Sequence, residues 1–319
     1  MIRAAALLFA TAIGFAQSAT YVASAGYEFP GPIPVAPGQV ISLFVRGVYA
    51  PTAKAGPGAL PTTLSGITVE VLHPPAPGFP KSLPILGVWS SRDACGGGIV
   101  SACETTNVVV QFPFEPTCVD RGFPNECTIG GHWPIPMVVK VNGVASQQFS
   151  FSPVIQAPHF LNTCDSIFMR QGLCNQAIVH ADGGWVGSPN TAGITPAHAG
   201  ELITIQATGL GPTPNARTGR AGTEPDKLPR EVFFTPAFRM GTDDQSQFML
   251  SNQTLRADST ELAAGTVGIY HIEVRLPDLP AGVRPCGKMY EMPNLRLLLG
   301  RRVSDPSSQP FADVCVATH

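Results

Sequence analysis

Gly38-Gln39-Val40-Ile41-Ser42-Leu43-Phe44-Val45-Arg46-Gly47 decides how this chain is read, because it returns 162 positions later as Gly200-Glu201-Leu202-Ile203-Thr204-Ile205-Gln206-Ala207-Thr208-Gly209. In the first stretch Ile41, Leu43 and Val45 alternate with Ser42, Phe44 and Arg46; in the second Ile203, Ile205 and Ala207 alternate with Thr204, Gln206 and Thr208. Strict alternation marks a strand with one face buried and the other in water. Glycines at both ends of each stretch set the turns. Each stretch is followed much later by a β-rich run ending in proline, Val108-Val109-Val110-Gln111-Phe112-Pro113 and Ile272-Glu273-Val274-Arg275-Leu276-Pro277. Proline closes a strand because it brings no N–H to the ladder. The expectation is one β-fold used twice.

Working outward, Ile67, Val69 and Val71 of Gly66-Ile67-Thr68-Val69-Glu70-Val71-Leu72 share a face, and residues 83–89 form a mostly apolar run after a proline-rich loop. Asn142-Gly143, between β-rich flanks, is the strongest short hairpin signal, with Gln148-Phe149-Ser150-Phe151 completing the hairpin. In the second part Glu231-Val232-Phe233-Phe234, then residues 268–276, then Leu295-Arg296-Leu297-Leu298-Leu299-Gly300 take corresponding places. About seven short strands per unit, separated by turn clusters, predict paired antiparallel sheets. The fold class is therefore all-β, two tandem immunoglobulin-like antiparallel β-sandwiches over residues 17–157 and 158–319. The proline-containing joint 153–162 holds the boundary, and helical periodicity is nearly absent apart from room for a turn or two in 165–176.

Compartment follows from the start of the chain and from cysteine. Met1-Ile2-Arg3 precedes an uncharged run from Ala4 to Ala16, with Gly14 and Ala16 at the −3 and −1 positions of a cleavage site (Ala16 and Ser18 would serve a second). This pattern predicts a secretory signal peptide over 1–16, too short for a membrane span of about 20 residues. No other run is long and apolar enough to cross, so the expectation is a soluble secreted, extracellular or periplasmic protein. The cysteine count is 8, and an even number in an exported chain suggests disulfides. Short loops close with the least entropy loss, which favours Cys95 with Cys103, Cys118 with Cys127, Cys164 with Cys174, and Cys286 with Cys315. A metal site is the alternative, but zinc cysteines come in pairs roughly two to four residues apart and no CxxC occurs.

Charged residues make up 13% of the chain, against roughly a quarter in ordinary soluble proteins. The 33 glycines and 32 prolines carry no period, which excludes collagen. A net charge of −2 predicts no basic face for nucleic acid.

Chemistry is sparse. No GxSxG elbow, HExxH or GxxxxGK[ST] occurs, so neither an enzyme nor a cofactor is expected. His180 with Asp182 is the closest histidine–carboxylate pair in sequence, and alternation would put both on one strand face, as an acid–base or metal pair. The preferred reading is a solvated edge of the Asp182-Gly183-Gly184 turn. Asp243-Asp244, with Asp258 and Glu261 nearby, fall short of the oxygen set of a calcium loop, and Gly96-Gly97-Gly98 reads as a turn. The tryptophans are Trp89, Trp133 and Trp185. Trp133, in Gly131-His132-Trp133-Pro134 beside the cysteine-bearing loop 92–134, is best placed to present a ring to a sugar. Trp185 follows the glycine turn. The alternative for each is packing on a core face. Loops 92–134, 211–230 and 241–265 are where a rigid scaffold would carry function, the alternative being that they are disulfide-pinned spacers.

The second unit resembles the C-terminal domain of secreted acidobacterial (Solibacter-type) proteins, itself similar to the immunoglobulin-like IPT/TIG domains. The resemblance rests on Ala177-Ile178-Val179-His180-Ala181-Asp182-Gly183, Ser188-Pro189-Asn190, Pro196-Ala197-His198-Ala199-Gly200-Glu201, Thr208-Gly209-Leu210-Gly211-Pro212-Thr213 and residues 267–274. It covers roughly 155–300, and the chain departs from it after Pro285. Ala36-Pro37-Gly38, the Gln111 to Pro113 element and Val141-Asn142-Gly143-Val144-Ala145-Ser146 make the first unit similar to the repeat that precedes this domain. The resemblance implies an extracellular β-module and supplies no catalytic residues. The expected role is a non-enzymatic binding, adhesion or structural module whose partner is an extracellular protein or polysaccharide. The alternative is carbohydrate binding through Trp133, His132 and Trp185.

Overall fold

The structure is a computed structural model that describes residues 21–25, 34–75, 78–92, 104–114, 134–165, 175–189, 192–241, 247–286, 293–300 and 309–318. Among these there is no helix; regular structure is entirely β. The earlier strands are β1 (Tyr21–Ala25), β2 (Pro34–Val35), β3 (Val40–Arg46), β4 (Ala53–Lys54), β5 (Thr63–Leu64), β6 (Ile67–Val71), β7 (Ile85–Arg92), β8 (Glu104–Gln111), β9 (Ile135–Val141), β10 (Val144–Ala145) and β11 (Phe149–Pro153). The later ones are β12 (His159–Phe160), β13 (Ile178–His180), β14 (Trp185–Val186), β15 (Ile194–Thr195), β16 (Leu202–Thr208), β17 (Asp226–Lys227), β18 (Phe233–Met240), β19 (Gln247–Leu250), β20 (Leu255–Arg256), β21 (Ser259–Leu262), β22 (Tyr270–Arg275), β23 (Leu295–Leu299) and β24 (Phe311–Val314).

Four sheets result. In the first half the orders are β1-β3-β8-β7-β4 and β2-β11-β9-β6-β5; in the second they are β15-β14-β13-β16-β22-β21-β17 and β19-β18-β23-β24. No ladder among the described residues joins a strand up to β11 with one from β12 onward. Pairing is antiparallel except for β2 with β11 and β14 with β15. Alternation explains the layering. Ile41, Leu43, Val45, Ile85, Val108 and Val110 of one sheet meet Ile67, Val69, Ile135, Met137, Val139 and Phe151 of the other in one core. Phe112 anchors it edge-on to Phe79 and Phe151, with ring centroids 6.0 Å apart in each pair. The second core gathers Ile203, Ile205, Tyr270, Ile272, Val274, Phe234, Leu295, Leu297 and Val314. Residues of two sheets facing across one core is the layering of a β-sandwich.

The two quoted stretches become β3 and β16, and each pairs with the proline-ended run quoted beside it. Val40 lies opposite Gln111 and Leu202 opposite Arg275. The turns that open them are alike. Gln39 N donates to Ala36 O at 3.1 Å, and Glu201 N to His198 O at 3.1 Å, across Gly38 at φ 77° and Gly200 at φ 76°. Both are left-handed positions that glycine takes without a Cβ penalty. In each turn the same side chain closes the loop: Gln39 Oε1 accepts from Ala36 N at 2.8 Å, and Glu201 Oε2 from His198 N at 2.7 Å.

Asn142 and Gly143 take φ 49° and 88° between β9 and β10, as a hairpin turn that matches strand twist requires. Cys286 and Cys315 form a disulfide with Cα atoms 5.4 Å apart, which ties the segment after Pro285 to the end of β24. Cys164 is also disulfide-bonded, to a partner outside the described residues. Cys95, Cys103, Cys118, Cys127, Cys174, His132, Trp133, Asp243, Asp244, the 96–98 glycines and the leader at 1–16 all lie outside the described residues.

Candidate functional site

Alternation predicts a water-facing side for both quoted strands; the second keeps it along most of its length, whereas on the first only the far end, Phe44 and Arg46, is partly exposed. On β16 and β22 the outward row is Leu202, Thr204, Gln206, His271, Glu273 and Arg275, all partly or well exposed. On β3 and β8 the equivalent row holds Val40 at 1% exposure, Ser42 at 0%, Val109 at 1% and Gln111 at 0%. The second half sits on Val40 and Gln111, where Thr208, Gly219 and Gly268 approach them.

The contact is built from glycines and amides. Gln39 Nε2 donates to Ala157 O, in the joint between the halves, at 3.2 Å; across the halves Val40 N donates to Thr208 Oγ1 at 3.1 Å, Phe114 N to Thr218 Oγ1 at 2.8 Å and Gly219 N to Gln111 Oε1 at 2.6 Å. Leu60 N donates to Gly219 O at 2.7 Å and Ala157 N to Gly209 O at 2.9 Å. A buried amide left unpaired costs about 1–3 kcal/mol, so each bond fixes how the halves meet. Two glycines make the approach possible. A Cβ on Gly209 would lie 2.0 Å from Ala157 O, and one on Gly268 would lie 2.4 Å from Gly38 O. Phe114, from the first half, is buried in the second core. The opening of the first quoted stretch thus docks on the end of the second.

Beside this contact a groove of about 340 Å3 runs between the halves. Its floor is the outer face of the β3-β8-β7 sheet: Val40, Val109, Leu86 and the half-buried Trp89. Leu86 reaches that face through a bulge, since Ile85 pairs with Val110 while Gly87 pairs with Val109, leaving Leu86 as the extra residue. Val267 and Ile269 of the second half form the opposite wall, and Lys54 with the 55–60 loop forms the rim. Ala221 also borders a second hollow of about 330 Å3 whose lining includes the charged Arg217, Arg220, Glu224 and Asp226. The groove has the apolar lining, aromatic side chain and size of a small-ligand site.

The residues singled out in the sequence fall elsewhere. Trp185 is half-buried in β14, between β13 and β15. His180 and Asp182 do not form a pair: β13 ends at His180, and Asp182 turns back to accept from Gly184 N at 2.9 Å. The carboxylate facing His180 is Glu201, 2.5 Å from Nδ1, while Nε2 lies 2.9 Å from Thr195 Oγ1. A hydroxyl, an imidazole and a carboxylate in line have the elements of a proton relay. Here both ring nitrogens are engaged within the fold, so the set pins β13, β15 and the turn before β16 together. His159 is held likewise by Asp165 at 2.9 Å. Asp258 and Glu261 flank and occupy β21, where His271 of β22 faces Glu261. Burial pushes the His271 pKa below its ordinary value, against the opposing pull of Glu261 and Glu273. Sequence reading missed the groove because its walls lie far apart along the chain. The one available signal was Trp89 itself, on a strand whose two faces are both apolar.

No model of a known protein family matches the chain, and no curated protein matches it either.

Proposed function

We propose that this is a secreted, non-enzymatic extracellular binding module of two tandem immunoglobulin-like sandwiches, taking its ligand in the groove at their junction. The observation that carries the reading is the groove itself, with one wall from each half and Trp89 in its floor. The shared strand order, register and turn bonds around β3 and β16 support the tandem arrangement. The leader-like start and the disulfides support export into an oxidising compartment. No helix among the described residues is long and apolar enough to cross a membrane. Purified chain lacking residues 1–16 should capture envelope material, and Trp89→Ala should abolish the capture while leaving the circular dichroism spectrum intact. Capture unchanged by Trp89→Ala would remove the groove from the function. A carbohydrate reading centred on Trp133 predicts the reverse dependence, with glycan-array binding lost on Trp133→Ala and kept on Trp89→Ala.

A further inference from the structure

We infer that the groove takes a small amphipathic anion, an aromatic or alicyclic carboxylate whose ring system lies against Trp89 and whose charge meets Lys54; this rests on the groove reading above.

The lining selects among ligand classes. Val40, Leu86, Val109, Val267 and Ile269 offer no hydrogen-bonding side-chain atoms. The hydroxyl in the lining, Thr266 Oγ1, already donates to Ala263 O at 2.8 Å. A sugar entering this space would give up water at several hydroxyls and find few side-chain partners, at a cost of about 1–3 kcal/mol for each one left unpaired. An apolar ring pays nothing of the kind, and it gains area against an indole and branched aliphatics.

Charge supplies the polarity. Lys54 is the charged residue in the lining, it stands exposed at the rim, and it has no ion-pair partner among the described residues. A neutral hydrocarbon would leave this ammonium unused, and a cation would be repelled by it. Lys54 also lies on β4, the edge strand of its sheet, so its charge sits at the mouth and the apolar surface lies behind it. A space of about 340 Å3 holds a two-ring ligand and excludes a folded segment or a long chain.

Isothermal titration of the full chain lacking residues 1–16 with 2-naphthoate, its uncharged analogue 2-naphthamide and cellohexaose tests this. Naphthoate should bind in preference to both others. Lys54→Met, at an exposed position that leaves the fold intact, should weaken naphthoate roughly two- to fivefold and leave naphthamide unchanged. Trp89→Ala should weaken both naphthyl probes about tenfold or more, and the milder Trp89→Phe should weaken them less. Equal affinity for naphthoate and naphthamide would overturn the anion assignment. Cellohexaose bound in a Trp89-dependent way would overturn the ligand class while leaving the groove as the binding site. No heat from any probe, together with envelope capture indifferent to Trp89→Ala, would bring down both readings.

Discussion

β3 with β8, and β16 with β22, are the same strand pair built twice, and their outward faces have opposite fates. On the first, Val40 and Gln111 are roofed by the other half, and only the far end at Phe44 and Arg46 is partly exposed. On the second, His271, Glu273 and Arg275 remain at the surface. The position that opens each strand shows how little is needed to make the difference. Gln39 and Glu201 close the same turn with the same side-chain oxygen, but the spare end of Gln39 is an amide N–H that reaches Ala157 O, whereas the spare oxygen of Glu201 takes up His180. A neutral donor suits a contact that excludes water; a carboxylate suits one that does not. Identical backbone geometry therefore specifies the fold, and the side chains on the outer face specify which copy is docked.

That contrast can be broken most severely at Phe114. Phe114→Ala should cost about 4 kcal/mol, as emptying a large buried aromatic site does, and should split a single thermal transition into two because the junction loosens. The complementary lesion lies in the second half alone. Replacing Cys286 and Cys315 together by serine releases a closure spanning 29 residues, worth about 3.5 kcal/mol by chain entropy. In differential scanning calorimetry the second half should then melt first, with the first half's transition following it.

A finer test exchanges the two turn residues. Gln39→Ala removes the turn closure and the bond to Ala157 together, for a loss of about 2 kcal/mol; Gln39→Glu keeps the closure and turns the junction donor into an acceptor, so most of that loss should persist. Glu201→Gln keeps the closure on the open copy and should cost under about 1 kcal/mol by urea denaturation. The smallest effect concerns pH. His271 has its folded pKa below the unfolded value near 6.5, so between the two values the unfolded chain binds more protons and stability rises with pH. Stability should fall on acidification below about pH 6.5, and His271→Gln should flatten that slope. The roofed copy has Asn107 at the position paired with Phe44 and should add no such slope.

Period-two alternation, terminal glycines and the Asn142-Gly143 turn are local signals, and they made the strands of both copies legible in the sequence. Alternation states which residues share a face, not what covers that face. Ser42 reads as water-facing for that reason yet is fully buried, and the neighbouring strand β8 ends at Gln111, which Gly219 of the second half covers from more than 100 residues away in the chain. His180 was legible as half of a pair, but its neighbour in sequence, Asp182, serves a turn, and the true partner is brought up by the β13–β16 register. The groove was the least legible feature, because it needs both halves and the bulge at Leu86, and a bulge leaves no period.

The long reach of the junction also sets an order of events during synthesis. Its side-chain hydrogen bonds join residues 104 to 168 positions apart, while β3 finds β8 from within the first half. Loop closure therefore lets the first half fold on its own strands before Gly219 and Gly268 exist to meet it. Throughout that interval Val40, Val109, Leu86 and the Phe114 ring lack their cover. A nascent chain of this protein carries a temporary sticky face, and a chain cut short at residue 157 would carry it permanently.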